Sequence, residues 1–207
     1  MNTLTSTDCL QLTEVHLECL PDSLVSRLGR RYTRAFYRYI NLSHNEHVFV
    51  ERDAERIVSG CVLSLDPGTL MRRLAFGSPL MWFAVLGVLR PSILRLLVGS
   101  LGRGEPASQY RVLHSSPEVI LMFTAQRARD RGAGSLLLGE CERFLTARGY
   151  GQYLVRTVDD ESNAALRFYA KNGFIECGRC VQYGQPFRIL RKEIGDGLPF
   201  GRSYLIG

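Results

Sequence analysis

The chain has 207 residues, of which 45% are hydrophobic and 22% are charged, and its formal net charge is +6. This length and balance indicate one globular domain over residues 1–207 and exclude a largely disordered chain. Lysine occurs only at Lys171 and Lys192, so arginine supplies nearly all of the positive charge. Because arginine binds phosphate and carboxylate through paired hydrogen bonds, the charge favours an anionic ligand. The sequence has no long basic run and no interleaved basic and aromatic residues, which argues against a nucleic-acid partner.

The N-terminal residues and the cysteines bear on the cellular compartment. Residues 1–15 contain neither a basic segment nor an apolar one, so we expect no secretory signal. Six cysteines are spread along the chain, and the C-x-x-C pair Cys177 and Cys180 lacks a second pair that would complete a zinc site. We therefore expect reduced thiols, no bound metal and a cytoplasmic protein.

The first third of the chain predicts a helix followed by a hairpin. Apolar residues recur at helical spacing from Leu24 to Tyr39, and Ser23 or Asp22 can cap the start of this helix. Residues 47–51 and 56–65 are typical of two strands joined by a polar turn. Asp66-Pro67-Gly68 predicts a turn that ends the second strand.

The segment 69–101 is strongly apolar and is edged by arginines. Its longest stretch without charge, 74–89, contains Pro79 and is shorter than the roughly 20 residues that a membrane span needs. The pattern therefore predicts a helical insert made of two short amphipathic helices. Two interpretations remain open: core helices or a homodimer face, or else an apolar lid or peripheral membrane surface that receives a membrane-linked substrate.

The second half of the chain alternates strands and helices. An apolar run at 118–124 is typical of a central strand, and a glycine-containing loop follows it. Beyond the loop we predict helices at 135–148 and 162–171, and strands at 152–158, 174–180 and 187–194. This order of elements predicts a mixed α/β sheet.

The loop from Arg129 to Ser135 is the strongest chemical signal. Its glycines allow a tight turn, and the free amides of the helix that follows favour an anion. The loop therefore predicts a phosphate or pyrophosphate site, although a glycine loop that merely packs tightly has the same pattern. The Gly-Lys-Ser/Thr ending of a Walker A loop and the third glycine of a dinucleotide fingerprint are both missing.

Two segments carry a family resemblance. Arg129-x-x-Gly132-x-Gly134 after an apolar strand resembles the Q/R-x-x-G-x-G/A signature of GNAT acetyltransferases. The stretch Ser162–Phe174, SNAALRFYAKNGF, is similar to the asparagine, alanine, tyrosine and glycine-phenylalanine segment of that family. The resemblance implies the GNAT fold, a twisted mixed sheet of about seven strands with helices on both faces. It also implies acetyl-CoA as co-substrate and a transfer that needs no metal.

The resemblance further implies where acetyl-CoA binds. The loop amides would hold the pyrophosphate, the strand before the loop would pair with the pantetheine, and an asparagine of the later helix would contact the cofactor. The implied residues are Met122, Phe123, Thr124, Arg129, Asp130, Arg131, Gly132, Ala133, Gly134, Ser135 and Asn163. The asparagine stands six residues before the tyrosine, where the family often has seven.

Two side chains are the candidate catalysts. Tyr169 stands at the family's tyrosine position, and a phenol placed against the sulfur can protonate the departing coenzyme A thiolate. Glu118 begins the cofactor strand, where some family members carry a general base. The alternatives are a purely structural tyrosine, a surface carboxylate, and His114 or a water molecule as the base.

The acceptor is the open part of this prediction. The resemblance implies direct attack of an amine on acetyl-CoA, and we expect a primary amine of a small molecule such as an amino-sugar. Two alternatives remain: a peptide or protein acceptor, and a non-catalytic module that binds acyl-CoA as a sensor.

Overall fold

A computed structural model describes residues 4–77, 116–182 and 184–195. The first half contains the helices and strands α1 (Ser6–Cys19), α2 (Leu24–Arg27), α3 (Arg30–Leu42), β1 (Glu46–Asp53), β2 (Arg56–Ser64) and α4 (Pro67–Gly77). The second half contains β3 (Glu118–Thr124), a 3₁₀ turn (Gln126–Ala128), α5 (Ala133–Thr146), β4 (Gln152–Val158), α6 (Ala164–Lys171), β5 (Ile175–Gln182) and β6 (Gln185–Glu193).

Helix α1 was not predicted from the sequence. It begins with a capping box, in which the Asp8 amide donates to the Thr5 hydroxyl at 3.1 Å and the Thr5 amide donates to the Asp8 carboxylate at 2.9 Å. These two bonds satisfy donors that the first turn leaves unpaired. The Thr-x-x-Asp spacing was the available signal.

The helix predicted from Ser23 to Tyr39 is divided into α2 and α3. Ser23 does cap α2, since the Ser26 amide donates to its hydroxyl. Gly29 separates the two helices with a φ of 93°, a conformation that glycine adopts without steric cost.

The turn predicted at Asp66-Pro67-Gly68 is wrong, because α4 begins at Pro67. Proline suits the first position of a helix, where its missing N–H would have no partner. The Asp66 carboxylate accepts a hydrogen bond from the Thr69 hydroxyl and supports this start. Of the predicted insert 69–101, α4 covers residues 69–77, and residues 78–101 lie outside the described part.

The described strands form one mixed sheet in the order β1-β2-β3-β4-β6-β5. All neighbouring strands are antiparallel except β3 and β4, which are parallel. The mixed α/β sheet is therefore confirmed, with six strands in the described residues where about seven were expected. The β1–β2 hairpin lies where the sequence predicted it, and β5 and β6 overlap the two strands predicted at 174–180 and 187–194.

Helices cover both faces of this sheet. On one face, α1 packs on β2 and β3, and α3 packs on α1 and β1, around Leu12, Phe36 and Phe123. On the other face, α5 packs on β1, β2 and β3, and the core there includes Leu137 and Tyr153. Burial of these apolar side chains is the main source of stability, at roughly 25 cal/mol per Å². No helix among the described residues is long and apolar enough to cross a membrane.

Candidate active site

The parallel strands β3 and β4 separate soon after they meet. They pair only at two positions in the described sheet, Glu118 opposite Leu154 and Val119 opposite Val155. Beyond these pairs the edge of β3 that faces β4 has no strand partner among the residues that the structure describes, so its backbone groups are open to a ligand there. We call the point where the strands part, after Val119 and Val155, the strand fork.

A bulge in β3 lies at the fork. Leu63 of β2 is opposite Val119 and Val62 is opposite Leu121, which leaves Ile120 as an extra residue in β3. Bulges bend a strand and disrupt its pairing locally. The bulge thus accounts for the departure of β3 from β4, which a strand pattern in the sequence does not reveal.

The loop after β3 leads into an uncapped helix. Asp130 and Gly132 have φ values of 60° and 81°, and Gly132 occupies the N-cap position of α5 without a side-chain cap. The first helical hydrogen bond runs from the Leu136 amide to the Gly132 carbonyl. The amides of residues 133–135 therefore have no acceptor within α5, as an anion site at a helix start requires.

Gly134 is where the loop, β3 and α6 approach one another. A Cβ atom at this position would lie 3.0 Å from Cζ of Phe168 and 3.3 Å from Cε of Met122. A methyl group at residue 134 would therefore require the Phe168 or Met122 side chain to shift. The close contact also places the start of the helix directly beside the open edge of β3.

Tyr169 of α6 points into the same region. Its side chain is 6% exposed, and its hydroxyl donates a weak hydrogen bond to Sδ of Met122 at 3.9 Å. The rings of Phe168 and Phe174 pack edge-on against it, each with a centroid distance of 5.2 Å. Burial raises the pKa of Tyr169 above its ordinary value, so the phenol is protonated at neutral pH and can act as an acid.

Glu118 lies on the opposite face of the sheet from Tyr169. Val119 packs on the α5 side, and because side chains alternate along a strand, Glu118 points the other way. The Glu118 side chain is 5% exposed, and its Oε2 accepts from Nη2 of Arg156 at 2.7 Å. Burial raises the pKa of Glu118, and the Arg156 guanidinium acts against that rise.

Asn163 caps α6. Its Oδ1 accepts from the Ala165 amide at 3.0 Å, and its Nδ2 donates to the Thr157 hydroxyl and to the Val158 carbonyl. These bonds fix the start of α6 against the end of β4. They also occupy the amide group, so direct contact with a cofactor stays a prediction.

The remaining predicted cofactor residues lie along one path from β3 to α5. Nε of Arg129 donates to the Thr124 carbonyl at 3.2 Å, which folds this side chain back over the end of β3. The Thr124 hydroxyl is bonded to Ser59 of β2 at 2.8 Å. Phe123 is buried in the core on the α1 side, so only its backbone can contribute to the cofactor edge. Arg131 and Ser135 are exposed at the loop.

Sequence reasoning missed Arg156, whose charge in the apolar strand QYLVRTV was the available signal. His114, the rival base, lies outside the described residues.

The six cysteines are free thiols. In the part of the chain that the structure describes, no group of three or more His, Cys, Asp or Glu side chains could hold a metal ion.

Residues 97–176 match the family model described as an acetyltransferase (GNAT) domain. No curated protein matches the chain by sequence. A solved protein from Desulfovibrio desulfuricans assigned to the GNAT family is similar in fold, with a TM-score of 0.60 at 12% identity over 94% of this chain and 96% of that chain. The ribosomal-protein-S18-alanine N-acetyltransferase of Escherichia coli gives 0.57 at 12% identity over 96% and 97%.

The PaiA N-acetyltransferase of Thermoplasma acidophilum, solved in complex with coenzyme A, gives a TM-score of 0.51 at 13% identity over 93% of this chain and 96% of that chain. At these identities the solved structures establish the fold, and the family model matches the segment that contains the fork, the loop and Tyr169. Residues 97–176 are therefore similar in sequence to a GNAT acetyltransferase domain, and the chain has the fold of the solved GNAT proteins.

Proposed function

We propose that the protein transfers the acetyl group of acetyl-CoA to a primary amine by direct attack. The observation that carries this proposal is the strand fork, with a buried phenol on one face and a buried carboxylate on the other. The uncapped start of α5 lies beside the open edge of β3, where the two halves of the cofactor would bind.

The proposed cofactor site follows from these contacts. The amides of residues 133–135 bind the pyrophosphate, and the exposed Arg131 adds positive charge beside it. The backbone of residues 122–124 pairs with the pantetheine, which leads the thioester to the fork. Asn163 acts from its place at the start of α6, by holding that helix against β4.

Acetyl-CoA supplies the activated acetyl group, and side chains of this protein accept and donate the protons. Glu118 accepts a proton from the attacking amine as the new C–N bond forms. Tyr169 donates its proton to the sulfur as the C–S bond breaks; solvent then returns a proton to the phenol and removes the proton from Glu118. The products are an acetamide and coenzyme A. Because Glu118 and Tyr169 lie on opposite faces, neither neutralises the other directly.

The acceptor that fits best is a primary amine of a small molecule, including an amino-sugar. The carboxylate of Glu118 is recessed, with 5% of its side chain exposed, so a secondary amine would reach it poorly. The amine attacks in its neutral form, because an ammonium group has no lone pair for the new C–N bond.

Cofactor binding is tested by thermal unfolding of the full chain with millimolar acetyl-CoA, coenzyme A or ATP. Binding at 100 times the dissociation constant should stabilise the protein by about 2.7 kcal/mol. Stabilisation by both coenzyme A species and not by ATP supports the site, and no shift with either refutes it.

Acceptor class is tested by mass spectrometry of acetylated products from glucosamine, an aliphatic diamine and a peptide with an N-terminal alanine. Transfer to glucosamine or the diamine supports a small-molecule acceptor. Transfer to the peptide alone would replace it with the peptide alternative. The absence of any acetylated product would refute the proposed reaction for these amine classes.

A further inference from the structure

The ion pair between Glu118 and Arg156 spans the two strands that separate at the fork. Glu118 sits in the first of the two paired rows of β3 and β4, and Arg156 is the first residue of β4 after the last pair. Their side chains are 5% and 15% exposed, and the Nη2–Oε2 distance is 2.7 Å. The pair therefore links the two strands across the point where they separate.

A carboxyl group that is buried in this way ionises only when neighbouring groups stabilise its charged form. Burial is the largest influence on Glu118 and raises its pKa, because the charged form loses its hydration. The charge and the hydrogen bond of Arg156 lower it. Without a nearby cation, the carboxyl group would hold its proton to a higher pH and could not accept another from an amine.

Among the described residues, the other charged groups in the same row of the sheet as Glu118 are already paired. In the same row, Ser64 of β2 donates to Oε1 of Glu46 at 3.0 Å, and Arg73 of α4 neutralises Glu46. On the other side, beyond Leu154, Arg191 of β6 lies 3.4 Å from the carboxylate of Glu193. Within the described residues, Arg156 is thus the cation that contacts Glu118.

We propose that Arg156 is a positioning residue whose guanidinium orients the Glu118 carboxylate at the fork and keeps it charged in a site closed to water. This inference rests on the proposed function, in which Glu118 is the general base. Arg156 itself touches neither the amine nor the acetyl group in this scheme. It acts by setting the geometry and the charge of the residue that does.

The test compares Arg156→Gln with Arg156→Lys in the full chain. Glutamate carboxyl carbons are labelled with ¹³C, and Glu118→Gln identifies the resonance of Glu118 in an NMR pH titration. Arg188→Gln is the matched control, since Arg188 of neighbouring β6 is similarly buried, at 22% exposed, and pairs with Asp159 instead. The pH dependence of kcat/KM is measured with the best amine of the acceptor panel.

We expect the titration midpoint of Glu118 to move to higher pH in Arg156→Gln and to stay near the original value in Arg156→Lys and Arg188→Gln. In Arg156→Gln the acid limb of the pH profile of kcat/KM should also move to higher pH. Turnover of this variant at pH 7 should fall roughly 10- to 100-fold and should recover in alkaline buffer. The KM for acetyl-CoA should not change.

An unmoved Glu118 midpoint, or an equal loss of turnover at every pH, would show that Arg156 only packs, and would overturn the inference. The proposed function fails separately, if the unaltered protein acetylates no amine at all. In that case the NMR titration alone decides whether Arg156 keeps Glu118 charged.

Discussion

Replacing Tyr169 with phenylalanine removes one hydroxyl at the fork and little else. Within the described residues, that hydroxyl makes a single weak hydrogen bond, to Sδ of Met122 at 3.9 Å, and its ring contacts with Phe168 and Phe174 would persist. The free energy of unfolding should therefore change by less than about 1 kcal/mol.

The effect on turnover should be much larger. A positioned general acid contributes about 10²- to 10⁴-fold to rate, which corresponds to about 3–5 kcal/mol of transition-state stabilisation. If Tyr169 protonates the departing thiolate, kcat falls by this factor while acetyl-CoA binding is retained. Stability and activity are thus expected to separate in this variant.

Tyr153→Phe is the matched control, because this change should lower stability and leave turnover unchanged. Tyr153 is fully buried on the same face of the sheet, and its hydroxyl donates to Oε1 of Glu142 at 2.8 Å. Loss of this hydrogen bond to a charged group should lower stability by roughly 1–3 kcal/mol. Glu142 keeps its contact with Lys192 at 2.6 Å, and turnover per folded molecule should be unchanged.

The assay combines urea unfolding with mass-spectrometric rates of acetylation at saturating acetyl-CoA. Turnover of Tyr169→Phe within a factor of two or three of the original protein would refute the assignment of Tyr169 as the acid. Equal losses of turnover in Tyr169→Phe and Tyr153→Phe would refute it as well, since both changes would then act through packing.

Two further predictions concern the loop and the response to acid. Arg131→Glu should weaken acetyl-CoA binding roughly ten-fold in calorimetry, about 1.4 kcal/mol, without changing stability. The control Arg143→Glu, at the far end of α5, should bind acetyl-CoA normally. If Arg131→Glu binds acetyl-CoA as tightly as the original protein, Arg131 is not part of the site. Burial lowers the pKa of His16 to about 4, so its stabilising contribution is present above its unfolded pKa of about 6.5 and is lost as the pH falls toward 4. Acidification from pH 7 to 5 should then lower the free energy of unfolding by about 2 kcal/mol through His16. His16→Gln should abolish this loss, whereas the control His44→Gln, at an exposed site, should retain it. An unaltered dependence of stability on pH in His16→Gln would contradict this account.

Local patterns in the sequence located most of the sheet. The apolar run 118–124 and the strand 152–158 agree with β3 and β4 residue for residue, because central strands are continuous and bounded by turn residues. Helix boundaries were less well predicted. At Gly29 and at Pro67 the sequence permits either continuation or interruption, and tertiary packing decides between them.

The candidate site was predictable only as a set of residues. The loop and Tyr169 could be found because their chemistry depends on residue type and on order along the chain. The fork could not be found, since it depends on a one-residue mismatch at Ile120 between β2 and β3 that leaves no mark in a strand pattern. The partner of Glu118 was missed for a similar reason: Arg156 is 38 residues away and meets it only through parallel pairing.

The bulge at Ile120 connects these observations. By displacing β3 from β4 it opens the backbone edge to which we assign the cofactor, with Tyr169 of α6 on one face of the sheet and Glu118 of β3 on the other. Burial raises the pKa of Tyr169 further above neutrality, so the phenol keeps its proton, whereas the Arg156 guanidinium opposes the rise that burial causes in the pKa of Glu118. In the proposed reaction Tyr169 is the acid and Glu118 is the base, and their different surroundings favour different protonation states, which is the condition for moving two protons during a single acyl transfer.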